Sequence, residues 1–169
     1  MLRKGHDLGS RRPGWPYPSA AWAAGAERDH VLSGRFPAIV RGEEEPRDTG
    51  ETVAFARMAY GQKYFATATR LWTESMKRSP KLIDDRRVQP RYNAACAAAL
   101  AAAGQGKGEP PFDEAAKSRW HKQAIEWLNA DLAVWSKQAE TGPPEARQNV
   151  SRILQHWKTV PDLAGLREL

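Results

Sequence analysis

Few side chains in this sequence have the types and spacing that chemistry requires. The single cysteine, Cys96, lies in an alanine-rich stretch with no histidine near it in sequence, which favours a buried, inert thiol over a nucleophile. One cysteine also excludes a disulfide framework and a thiolate zinc cluster. The histidines show no metal-ligand spacing. They are His6, His30, His121 and His156.

One glycine-rich loop is superficially similar to a phosphate-binding motif. The segment 104–108 reads GQGKG, but it follows a predicted helix rather than a strand and lacks the Gly-Lys-Ser/Thr ending. No nucleophile elbow and no protein-kinase motif (HRD, DFG or VAIK) is present; Arg28-Asp29-His30 has the right residue types in the wrong order. We therefore expect no enzyme activity, no catalytic residue, no cofactor and no bound metal.

Asp131 is the polar residue with the strongest indication of a role. It lies near the middle of the apolar arc of a long helix predicted over 113–139. A buried carboxylate is costly unless it is paired or hydrogen-bonded. We expect a structural carboxylate, satisfied by Tyr92, Asn93, a nearby arginine such as Arg91, or the free backbone N–H groups of the first turn of a helix beginning at Arg91.

Helical periodicity places these residues in an all-α fold. We expect a disordered leader over 1–35 and two helical hairpins within 36–142, at about 51–79 and 91–139. Residues 143–169 should form an extra packing helix and a short turn. Thr49 or Thr52 is expected to cap the first helix and Asp113 the long one. The alanine-rich helix at 91–103 should pack closely against the tryptophan-bearing helix that follows it.

The net charge of +6 is concentrated in one part of the chain. Residues 51–103 carry nine basic and four acidic side chains, and most of the excess lies between Lys77 and Arg91. Such a patch could bind nucleic acid, but Asp84 and Asp85 interrupt it and no aromatic residues alternate with the cations. Nucleic-acid binding is therefore the less favoured alternative.

The sequence gives no indication of a membrane protein. No run approaches the roughly 18 to 20 apolar residues of a membrane-spanning helix, and prolines and glycines interrupt the N-terminal segment where a signal peptide would need a continuous apolar core. We expect a soluble, cytoplasmic protein with no membrane partner.

The first hairpin resembles a tetratricopeptide repeat, a stacked pair of antiparallel helices. Counting back from Pro80 as repeat position 32 places Trp72 at position 24, Ala68 at 20 and Ala56 at 8, where that repeat has bulky, small and small residues. A closer resemblance covers about 36–169. It rests on four strings: RYNAACAAALAAAGQGK, QAIEWLNADLAVW, ILQHWK and PDLAGLRE. Together they are similar to the C-terminal helical-repeat region of large bacterial serine/threonine protein kinases. Similar regions also follow β-propeller repeats in some bacterial proteins.

This resemblance implies a non-catalytic scaffold that binds a protein partner. In such arrays the first helix of each pair lines a concave surface that binds the partner. The resemblance therefore implies that polar residues on those helices contact the partner: Arg57, Gln62, Lys63, Arg91 and Asn93. A weakly basic groove would suit an acidic peptide or a C-terminal carboxylate. The alternative within the same resemblance is a truncated regulatory tail of a kinase. The partner and the oligomeric state stay open.

Overall fold

The computed structural model describes residues 7–9, 14, 17–107 and 113–167. Within these ranges the chain forms helices, turns and bends, and no β-strand, so the fold class is all-α. The chain divides into two compact units, Met1–Glu45 and Pro46–Leu169.

The first unit contains one long helix, α1, over Ser19–Arg41. It ends at Gly42, whose φ of 71° is the left-handed conformation that glycine adopts without steric cost. The predicted disordered leader is therefore wrong over 19–35, because the alanine-rich stretch AAWAAGA has a high helix propensity that the glycines and prolines around it concealed. Residues 1–6, 10–13 and 15–16 of that leader lie outside the described residues.

Within the described residues, the second unit is a succession of five α-helices and two short 3₁₀ helices. Each of these α-helices packs on the next α-helix in the chain, and the C-terminal 3₁₀ helix returns to pack on the third of them. The α-helices are α2 (Thr49–Gly61), α3 (Phe65–Arg78), α4 (Pro90–Ala102), α5 (Glu114–Thr141) and α6 (Pro144–Thr159). The linker 3₁₀ helix is Pro80–Asp84, and the C-terminal 3₁₀ helix is Pro161–Leu166.

Side-chain caps fix the beginnings of α2 and α5. Asp113 caps α5 as predicted, because its Oδ1 accepts a hydrogen bond from the N–H of Ala116 at 2.6 Å. In α2 the cap is Asp48 rather than Thr49 or Thr52. The Asp48 carboxylate accepts from the N–H of Glu51 at 2.8 Å, and an ionised oxygen is a stronger acceptor than a hydroxyl.

Helix α4 forms the centre of the second unit. Every residue from Ala94 to Ala101 is buried, and α3, α5 and the C-terminal 3₁₀ helix pack against it. On its α5 side, Ala95 and Ala98 are fully buried against Ala124, with large α5 side chains around them: Trp120, Trp127 and Leu128. The predicted packing of a small-residue helix against a tryptophan-bearing helix is confirmed.

Candidate interaction site

The outer face of α5 is less covered than its apolar arc predicted. Ile125 and Leu132 are each 38% exposed and Val134 is 43% exposed. The reason is the face of α5 on which they lie. Ala124 and Trp127 pack against α4, whereas Ile125 and Leu132 face a hollow between α5, α6 and the C-terminal 3₁₀ helix.

An apolar groove lies between α5, α6 and the C-terminal 3₁₀ helix. We call it the α5–α6 groove; its volume is about 540 Å³. Two of its lining side chains, Lys158 and Arg167, are charged, and both are cationic. The remaining lining residues are Ile125, Leu128, Asn129, Leu132, Leu154, Trp157, Leu163 and Leu166.

Arg167 is held firmly at the rim of this groove. Its guanidinium donates to the carbonyl oxygens of Trp157 at 3.1 Å, Lys158 at 2.9 Å and Val160 at 3.1 Å. These are carbonyls at the C-terminal end of α6, where the helix dipole also favours a cation. The positive charge at the groove therefore has a fixed position.

A second hollow, which we call the Trp135 cleft, has a different chemistry. Its volume is about 510 Å³, and it lies near the beginning of α4, the later part of α5, and α6. The Arg86 guanidinium lies 5.2 Å from the ring centroid of Trp135, a cation–π contact. Three of its lining side chains are acidic and three carry a guanidinium, so their charges favour neither anionic nor cationic ligands. These residues are Asp84, Asp85, Asp131, Arg86, Arg91 and Arg152.

Asp131 lies in the wall of this cleft and joins the two helices of the second hairpin. Its carboxylate accepts a hydrogen bond from Nε of Arg91, and the two side chains are 15% and 16% exposed. Burial raises the pKa of Asp131, and the Arg91 guanidinium opposes that rise. The carboxylate thus meets the arginine side chain, one of the expected partners, rather than the backbone N–H groups of the first turn of α4.

Replacing Asp131 by Ala should lower the free energy of unfolding by about 1 to 2 kcal/mol, because the Arg91 guanidinium then stays largely buried without its partner. Asp131→Asn should cost less, since the amide oxygen still accepts a hydrogen bond. Urea unfolding of both variants measures this order. Equal stability of Asp131→Ala and the unmutated chain would show that the pair contributes nothing.

The predicted partner-binding residues do not all line one hollow. Lys63, in the turn between α2 and α3, lines a hollow at the C-terminal end of α4, beside Leu100 and Gly104. Arg91 and Asn93 lie at the opposite end of α4, about 15 Å away along the helix axis. Partner binding by the five residues stays a prediction.

Two of those five residues are also used inside the fold. Arg91 is paired with Asp131, and Nδ2 of Asn93 donates to the carbonyl of Val88 at 2.7 Å. The other three, Arg57, Gln62 and Lys63, are exposed. The pattern of apolar and polar residues along a helix predicts well which cations are exposed. It does not show which of them will be paired with a group on a neighbouring helix.

The basic segment 77–91 is likewise engaged in intramolecular contacts. Arg78 donates to Glu74 at 2.8 Å and to the carbonyl of Pro46 at 2.9 Å. Arg86 covers the Trp135 ring, and Arg91 is paired with Asp131. Three of the six cations in this segment therefore have intramolecular partners, and the nucleic-acid alternative stays a prediction.

The polar groups around Cys96 do not form a reactive site. Cys96 is 3% exposed, and burial raises the pKa of its thiol to about 12, so almost none of it is a thiolate at neutral pH. Burial also raises the pKa of Tyr60 and of Tyr92. Among the described residues no three potential ligands come together to hold a metal, and none of the described helices is long and apolar enough to cross a membrane.

Comparisons with known proteins supply no relative from which a function could be transferred. No family model matches the sequence, no curated protein matches it, and no solved structure matches the fold. The geometry of the α5–α6 groove therefore carries the functional argument.

Proposed function

We propose that this chain is a non-catalytic helical scaffold that binds an amphipathic helix of a partner protein in the α5–α6 groove. The observation that carries the proposal is the pair of partly exposed side chains on α5, Ile125 and Leu132, each 38% exposed beside an apolar groove of about 540 Å³. Exposed apolar side chains grouped along a groove are typical of interaction surfaces.

The spacing of the groove residues favours a helical partner. Ile125, Leu128 and Leu132 follow one another at intervals of three and four residues, so they form a stripe about two turns long on α5. A partner helix with apolar residues at positions i, i+3, i+4 and i+7 presents a stripe of the same length. Packing the two stripes would continue the succession in which each helix of the second unit covers the previous one.

The charges at the groove favour an acidic partner. Lys158 and Arg167 are the charged side chains that line it, and both are positive. A partner helix with Glu or Asp beside its apolar stripe would be attracted to them, whereas Lys or Arg at the same positions would be repelled. The acidic partner expected from the sequence is thus kept, but at a different place on the fold.

A designed peptide can test this proposal. A peptide of about 18 residues, long enough to be partly helical, would carry leucines at i, i+3, i+4 and i+7 with glutamates beside them. We expect a Kd on the order of micromolar by fluorescence anisotropy, and binding about tenfold weaker for the same peptide with lysines in place of the glutamates.

A substitution in the groove should remove this binding. In Leu132→Asp the new carboxylate would be buried under the peptide, which should weaken binding by at least about tenfold. Ala133→Asp is the matched control, because Ala133 is exposed on the same helix and lies outside the groove lining. Equal weakening by both substitutions, or stronger binding of the lysine peptide, would contradict the proposal.

A further inference from the structure

The end of the chain covers part of α4. Residues 160–167, which we call the strap, contain the C-terminal 3₁₀ helix and follow α6 directly. Leu163 is 3% exposed and packs on Cys96 and Ala99 of α4. Because Cys96 and Ala99 have small side chains, α4 is shallow at this point, and Leu163 fills the depression.

A second contact holds the strap at its side. The hydroxyl of Tyr60, at the end of α2, donates a hydrogen bond to the carboxylate of Asp162. Leu166 adds an apolar contact one turn after Leu163. The attachment therefore consists of one acidic residue followed by two leucines three positions apart, each contacting an identified part of the fold.

The strap has the features of a segment that can open locally. It is a six-residue 3₁₀ helix, a conformation with poorer hydrogen-bond geometry than an α-helix. Leu163 is its one buried side chain, Val160, Asp162, Ala164 and Leu166 are half-buried, and Arg167 attaches its end to α6 through hydrogen bonds to the carbonyls of Trp157 and Lys158. Segments with so few buried contacts open at a lower free energy than the whole fold.

We propose that the surface beneath the strap, formed by Tyr60, Cys96 and Ala99, is a second docking site for a short partner segment with the pattern Asp-Leu-x-x-Leu, and that the strap is its built-in competitor. Leu163, Leu166 and Arg167 of the strap also line the α5–α6 groove, so opening the strap would alter that groove. The proposal of this second site rests on different contacts, those of the strap with α2 and α4. The occupant already in place identifies the chemistry of the segment that could replace it.

The tether explains why the site is closed in the free chain. A segment joined by a short connection has an effective concentration on the order of millimolar at its own site. A free segment of the same sequence therefore competes poorly unless it is locally concentrated, makes additional contacts, or meets a weakened strap. The strap would thus admit a partner that engages the protein elsewhere as well.

Cys96 provides a direct readout of the strap, since it lies under Leu163 and is the single cysteine of the chain. In the 169-residue chain, labelling of Cys96 by a thiol reagent at one fixed pH should be slow. Leu163→Ala should accelerate it by about tenfold or more, because the shorter side chain uncovers the thiol and weakens the attachment of the strap. Val150→Ala is the matched control: it shortens a buried side chain on α6 outside the strap and should leave labelling slow.

A peptide added to the Leu163→Ala protein then tests the docking site itself. The synthetic peptide VPDLAGLR, the sequence of 160–167, should slow the labelling of Cys96 again in a concentration-dependent way. The peptide VPNAAGLR, which lacks the acidic residue and the first leucine, should not. Labelling of Leu163→Ala at the wild-type rate, equally fast labelling of Val150→Ala, or equal behaviour of the two peptides would each overturn the proposal.

Discussion

Replacing Ala98 by Leu is expected to lower the free energy of unfolding by about 1 to 3 kcal/mol, because a fully buried position between two closely packed helices would receive three additional carbon atoms. Ala98 is 0% exposed and packs with Ala124 of α5, among tryptophan side chains. A leucine side chain at this position would press against Ala124 and the surrounding rings, so α4 and α5 would have to separate.

The control for this substitution is Ala133→Leu, which adds the same atoms at an exposed position of α5. Urea unfolding curves of both variants give the comparison. The Ala133→Leu protein should keep its stability within about 0.5 kcal/mol. If Ala98→Leu unfolds at the same urea concentration as the unmutated chain, then α4 and α5 do not pack as described.

Stability should fall steeply in alkaline solution, beginning near pH 9. The pKa of the buried Cys96 thiol is raised from its ordinary value of 9.0 to about 12. The folded state therefore holds a proton that the unfolded chain releases. The stabilisation is complete below pH 9 and is lost as the pH rises towards 12, by about 1.4 kcal/mol per pH unit for this one group.

The Cys96→Ala variant isolates the contribution of the thiol. The tyrosines with raised pKa values, Tyr60 and Tyr92, have ordinary values of 10.0, so their contribution begins about one pH unit later than that of the thiol. Between pH 9 and pH 10 the free energy of unfolding should therefore decrease in both proteins, and by clearly more in the unmutated protein than in Cys96→Ala. Parallel losses in the two proteins over this interval would show that the thiol is not responsible.

Local sequence signals predicted most of the helices well. Pro90 begins α4, and Gly104, with a φ of 70°, follows its end. Asp113 begins α5, and the glycine and prolines at 142–144 separate α5 from α6. These signals act through the backbone of one or two residues, which is why they need no knowledge of the tertiary fold.

The candidate site could not be predicted in the same way, because it depends on which surfaces are left uncovered. The apolar arc of α5 shows that Ile125 and Leu132 could be buried, but they lie on a face that α4 does not cover. Lys158 and Arg167 are separated from them in sequence. Lys158 joins the groove because α6 packs on α5, and Arg167 joins it because the strap turns back after α6.

The alanine-rich start of α1 is a helix that the composition of the leader did not predict. The composition of the leader as a whole favoured disorder, whereas the segment AAWAAGA within it has the propensity of a helix, and α1 covers it. An average over about 35 residues concealed a local signal of two turns. Composition is informative for long tracts and misleading where a short helix-forming segment lies inside them.

Methyl NMR of the 169-residue protein shows directly whether an acidic amphipathic helix binds in the α5–α6 groove. The glutamate-flanked leucine peptide would be titrated into protein labelled at its Ile, Leu and Val methyl groups. We expect resonance changes centred on the groove, at Ile125, Leu132 and Leu154. Changes centred instead on Ile83, Val134 and Ile153, which line the Trp135 cleft, would contradict it.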